Sequence, residues 1–130
     1  MDLRDAPFAV TIPCRDLVAT RRFYEDLLQL PLEADEEAGL YYRSRNTLIG
    51  LYQTEAAGTA AHTLGGWEVD DIEATVRALR ERGVHFEEYE LPGLTTADGI
   101  ADLGSERSAW FKDPEGNILA VYQRRATSRY

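Results

Sequence analysis

Ala109-Trp110-Phe111-Lys112-Asp113-Pro114-Glu115-Gly116-Asn117-Ile118-Leu119 is the stretch that decides the fold. An apolar run meets a turn, and a second apolar run leaves it. Pro114 presets a turn-compatible φ, and Gly116 takes positive φ at no steric cost. Asn117 can bond nearby backbone and set the direction of the chain that follows. The stretch therefore predicts a strand over 108–112, a turn over 113–117 and a last strand over 118–123.

Upstream, residues 92–104 hold one proline and three glycines and read as an exposed loop. With Thr95, Thr96 and Asp98, this loop is either a lid or plain surface. Residues 84–89 alternate as a strand does. Asp70 with Glu73 three residues on reads as a capping box, opening a helix that runs to Arg82 and stops at Gly83. Its Ile72, Val76 and Leu79 share one stripe. Residues 64–69 form a strand before it. The stretch 54–61, rich in Ala, Gly and Thr, reads as a linker.

On the other side of that linker, 40–43 and 47–52 read as strands joined by 44–46, after an acidic turn at 35–39. Ahead of them a helix starts at Asp16, whose carboxylate can accept an orphan N–H, and ends near Leu28 before Pro31. Residues 8–14 are the opening strand, with Pro13 near its end or on a sheet edge. Residues 1–7 are a lead-in.

The two halves repeat. Asp16-Leu17-Val18-Ala19-Thr20-Arg21-Arg22 lies over Asp71-Ile72-Glu73-Ala74-Thr75-Val76-Arg77, and Leu51-Tyr52-Gln53 lies over Val121-Tyr122-Gln123. A strand, a helix and three strands used twice make this an α+β chain of two tandem βαβββ modules. Module one spans about 8–53 and module two about 62–123, within a single domain over 1–130.

Composition narrows the function. The 130 residues carry 14 basic and 23 acidic side chains, for a net charge of −9. That field repels phosphate backbones and anionic lipid, so no nucleic-acid or membrane partner is expected. Arg124, Arg125 and Arg129 read as a short solvated tail. The single cysteine, Cys14, lies in an apolar run and reads as a small buried hydrophobe. The chain has neither an apolar stretch near membrane-spanning length nor a leader pattern, which points to the cytoplasm.

Two segments resemble the vicinal-oxygen-chelate superfamily of glyoxalases, extradiol dioxygenases and bleomycin-resistance proteins. One is Val10-Thr11-Ile12-Pro13-Cys14-Arg15-Asp16-Leu17 leading into Arg22-Phe23-Tyr24. The other is the Asp113-Pro114-Glu115-Gly116-Asn117 turn with its flanking strands. The resemblance implies paired modules whose curved mixed sheets enclose a cleft, and a homodimer. It also implies that a metal-using member would place ligands at Ala9, Gly50, Leu64 and Ala120. None of these side chains offers a lone pair, and a divalent ion needs about three such donors. No metal and no cofactor are therefore expected. Of the two histidines, His85 reads as a surface residue, and His62 reaches the cleft only in a slipped register with Glu68.

Strand parity puts Thr11, Leu48, Tyr52, Glu68, Ile118 and Tyr122 on the face that Ala9, Gly50, Leu64 and Ala120 share. Ile12, Ile49, Leu51, Trp67, Val69, Leu119 and Val121 then face the helices. Phe111 joins the core and Trp110 the cleft. The uncharged residues at the four ligand positions are expected to enlarge the cleft and remove its charge. Two readings of Tyr52 and Tyr122 stand: they contact a ligand, or they pack the sheets together. The leading function is metal-free binding, with possible sequestration, of a small, partly aromatic organic molecule in the bleomycin-resistance manner. One rival is a metal-free lyase or isomerase with Glu68 as base and Tyr52 or Tyr122 as partner. The other is a structural or regulatory dimer with a vestigial cleft.

Overall fold

Strands bury their backbone polar groups by pairing, and the alternating apolar residues decide which face of each sheet is covered. In the computed structural model, which describes residues 2–126 and 128, this yields a mixed α+β chain with sheets of four and six strands. Arg129 lies outside the described residues. The chain divides into two compact units. One runs up to Thr59 and takes in Pro114–Asn117; the other comprises Ala60–Asp113 and the chain from Ile118.

The first unit contains β1 (Val10–Cys14), the helix α1 (Leu17–Arg21), β2 (Leu32–Glu36), β3 (Gly39–Ser44) and β4 (Thr47–Gln53). Its sheet order is β1-β4-β3-β2, with β1 parallel to β4 and the rest antiparallel. Strand β1 is an edge, where Pro13 costs no ladder bond. Asp16 caps α1 by accepting from the Ala19 N–H at 3.1 Å. The helix then widens over Arg22–Leu27 into a π-type turn, with the Leu28 N–H donating to the Phe23 carbonyl at 2.9 Å. It ends at Gln29, which takes φ of 56°, ahead of Pro31. Ile12, Tyr42, Ile49 and Leu51 are buried beneath Phe23 and Tyr24, and the Tyr24 and Tyr42 rings stack 5.9 Å apart.

Strand β2 occupies part of what reads as an acidic turn. Pairing with β3 overrides its acidic composition, and Arg21 and Arg43 meet its Asp35 and Glu33.

The second unit contains β5 (Thr63–Glu68), α2 (Ile72–Glu81), β6 (Glu90–Leu91), β7 (Leu94–Ala97), β8 (Ile100–Asp102), β9 (Glu106–Lys112) and β10 (Ile118–Arg124). Its sheet order is β5-β10-β9-β8-β7-β6. Asp71, not Asp70, caps α2, accepting from the Ala74 N–H at 3.1 Å. It thereby repeats the Asp16 cap 55 residues later. Glu73 completes no capping box and instead pairs with Arg107. Ile72, Val76 and Leu79 are buried, as their stripe requires, and Gly83 follows the helix with φ of 104°.

Residues 84–89 form no strand. A single bridge joins Phe86 to Phe111, because Phe86 turns into the core against that ring at 5.5 Å. Residues 92–104 are not a plain loop either. They contain β7 and β8, joined by Asp98-Gly99 with φ of 53° and 80°, and two positive values are what a two-residue hairpin turn needs.

The turn after β9 closes the first unit's framework. Asn117, only 1% exposed, donates from Nδ2 to the Pro13 carbonyl at 2.8 Å and accepts at Oδ1 from the Gly58 N–H at 3.2 Å. Its partners are thus distant in sequence, not the neighbouring backbone. The Glu115 carboxylate accepts from the backbone N–H groups of Arg15 and Asp16. Gly58 sits at φ of 73°, and a Cβ there would strike the Glu115 carbonyl. Arg15 reaches the Ala57 carbonyl at 2.6 Å, so residues 54–59 are well tied down.

Asn117→Ala is expected to cost about 2–4 kcal/mol, since it strands a carbonyl and an N–H together; a lower urea midpoint at unchanged slope checks this. Glu25 offers a second test. Burial pushes its carboxyl up, but hydrogen bonds from Arg21 at 2.8 Å and from Tyr42 Oη at 2.7 Å prevail and hold it below 4.5. Its contribution is complete above that value and is lost as pH falls through the lower folded value. Tyr42→Phe is expected to weaken the protein at neutral pH and to flatten this acid limb, as read by denaturation at several pH values.

Candidate functional site

Each unit has one sheet face turned away from its helix, and register identifies the residues on it. In the first unit Thr11, Gly50 and Tyr41 form one cross-strand row. Leu48 lies beside Arg43 in the next row, and Tyr52 lies beside Pro13. Ala9 precedes β1 and is exposed, so it belongs to no strand. Gly50 does not open space: a Cβ there would come within 3.2 Å of the Tyr41 ring. The expected enlargement therefore fails at this position, where an aromatic side chain takes the room. Tyr41 was legible as the residue opposite Gly50 once β3 and β4 are folded about their short turn.

In the second unit the rows are Gly66–Ala120–Trp110 and Glu68–Tyr122–Ser108. A bulge displaces Leu64, so Ile118 faces Thr63 instead. Gly66 allows β5 to run close to β10, since a Cβ there would sit 2.9 Å from the Ala120 carbonyl. Trp110 shares the Ala120 face, while Phe111 is fully buried and stacks on Trp67 at 6.2 Å. Tyr89, which strand parity did not single out, meets Trp110 edge to face at 5.7 Å. Burial, then the Glu87 charge, pushes its phenol up, so it stays a hydrogen-bond donor at neutral pH. Thr96 positions it, accepting from the Tyr89 N–H at 2.8 Å.

The result is a floor of two small residues. Trp110 and Tyr89 stand at one end; Tyr122 and Glu68 flank it one row along. Among the described residues, Glu68 Oε1 is shielded from solvent and has no hydrogen-bond partner.

Donor chemistry at Ala9, Gly50, Leu64 and Ala120 does not fit a divalent ion. Among the described residues, no three His, Cys, Asp or Glu side chains gather as a metal site would require. His62 is exposed, with Nδ1 3.1 Å from the Thr63 carbonyl oxygen. His85 is exposed on the helix side, in a hollow of about 660 Å³ that includes Arg80 and Glu88. A neighbouring hollow of about 430 Å³ runs along α2 past Arg77 and Glu81. Both are open and rimmed by charge, and neither includes any residue of the two sheet faces. Among the described residues, no helix is long and apolar enough to cross a membrane.

Known proteins bear on this geometry. No curated protein sequence matches. Among solved structures, UcmS2 superposes with a TM-score of 0.72 at 20% identity, covering 92% of this chain and 98% of that one. TnmS3, an antibiotic binding protein from Streptomyces sp. CB03234, gives 0.65 at 21% identity, covering 92% and 96%. A glyoxalase/bleomycin resistance protein/dioxygenase from Alicyclobacillus acidocaldarius gives 0.69 at 16% identity, covering 97% and 96%. At such identities these likenesses speak for the fold alone. The sequence profile of the Glyoxalase/Bleomycin resistance protein/Dioxygenase superfamily matches residues 8–121. That match, with the repeated caps and a sheet in each unit, makes the chain a member of this superfamily.

Proposed function

We propose that the protein binds a small, partly aromatic organic molecule without a metal ion and acts by sequestering it in the cytoplasm. The observation that carries this reading is the second unit's face, where Trp110 and Tyr89 stand beside the bare Gly66–Ala120 floor. Aromatic walls over a small-residue floor suit a flat ring, because they supply contact area with few torsions to freeze. The antibiotic-binding description of TnmS3, which shares the fold, supports the same class of activity. The lack of donors at the four ligand positions supports metal independence.

Glu68 favours one second reading, a metal-free lyase or isomerase with this carboxylate as base and Tyr122 beside it. Under the sequestration reading the ligand is recovered unchanged; under the enzymatic one it is converted, and Glu68→Gln abolishes conversion.

Titrating the protein with a panel of aromatic natural products is expected to quench Trp110, with the Trp110→Ala variant supplying the Trp67 background. Trp110→Ala is expected to weaken the best binder about tenfold or more. Silence from every compound, or unchanged affinity in the variant, rejects the assignment. Mass spectrometry of the recovered ligand separates binding from turnover. We also propose a homodimer, so light scattering at micromolar concentration is expected to return twice 14.6 kDa. A monomer mass would overturn that.

A further inference from the structure

We propose that Glu68 receives a protonated amine, carried at one end of a flat, fused-ring ligand whose other end lies against Trp110. This rests on the binding function proposed above and names the chemical class of its ligand.

A carboxylate oxygen withheld from water costs free energy unless a donor meets it. Glu68 Oε1 is so withheld, and no donor among the described residues reaches it. Among the described residues no arginine of the second unit's sheet pairs with Glu68: Arg107 meets Glu73, and the Nε of Arg124, at the end of β10, has no hydrogen-bond partner. A cation arriving with a ligand is the partner that completes the site.

Register then sets the size of that ligand. Glu68 and Trp110 lie on the same face of β5 and β9, two strands apart and one same-face step along. With strands roughly 4.8 Å apart and same-face residues roughly 6.8 Å apart, their backbones are roughly 12 Å from each other. The intervening positions are Gly66 and Ala120, which project nothing or a methyl group. Two or three fused rings span that floor, stack near Trp110 and deliver an amine to Glu68. Tyr122, half-buried, shares the Glu68 row and lies along the ligand's edge. The net charge of −9 draws a cation toward the protein from any direction, but only contact with Glu68 makes the preference local.

The test compares 2-(aminomethyl)naphthalene, an ammonium ion at neutral pH carried at one end of two fused rings, with 2-(methoxymethyl)naphthalene, which is uncharged and has no N–H. Both are titrated against the wild-type protein and Glu68→Gln by calorimetry. The wild type is expected to favour the amine about tenfold or more, as befits a charge-assisted hydrogen bond. That preference is expected to survive raised salt, which screens the long-range field. Glu68→Gln is expected to bring the ratio near one while the affinity for the uncharged ether stays put, which also shows that the variant is folded. Equal binding of both probes to the wild type, a preference lost in salt, or a preference kept in Glu68→Gln overturns the amine subsite alone. If neither probe binds the wild type, the proposed aromatic binding function falls with it.

Discussion

One buried amide settles the layout of the first unit. Asn117 gives a hydrogen to the Pro13 carbonyl and takes one from the Gly58 N–H, and nothing smaller does both. Strand β1 is an edge, so its outward carbonyls have no strand partner and need one from elsewhere. Glu115, two residues earlier, meets the backbone N–H groups where β1 gives way to α1. The turn ending at Asn117 is thus a set of hydrogen-bonding groups presented to backbone 59 to 104 residues away in the chain. Its chemistry is structural, and it holds the strand from which the first sheet grows.

The repeated module reaches different ends in its two copies. Both carry an aspartate cap on the helix, a parallel pair formed by first and last strands, and small residues at equivalent points on the last strand. In the first copy the Tyr41 ring covers Gly50. In the second, Trp110 stands across from Ala120 while Gly66 leaves the other side bare. Repetition of the module preserves backbone geometry, because caps and ladders are satisfied locally. It does not preserve the side chains that fill the exposed face.

Charge follows the same division. Arg21, Arg43, Arg107 and Arg125 each meet a carboxylate, mostly at the protein surface, where such pairs contribute little to stability. They neutralise the acidic edge strand β2 and the strand ends. Glu68 stands apart from these paired carboxylates, with one oxygen removed from water and, among the described residues, without a donor.

The family, the Asp16 cap, the apolar stripe of α2 and most of the core-facing strand residues were legible in the chain, because each rests on residues within about four positions or on strict alternation, whereas the second cap falls at Asp71, one residue past the expected Asp70. The Asp98-Gly99 hairpin was legible too, but a count of loop-forming residues concealed it. Tertiary structure alone decided the rest. Acidic β2 is a strand only because β3 offers it a ladder, and Phe86 leaves its strand because Phe111 offers it a core. Tyr41 fills the space over Gly50, and a bulge moves Leu64 out of its row. These outcomes depend on partners far apart in the chain, whose pairing energies outweigh local preference and leave no mark on the residues themselves.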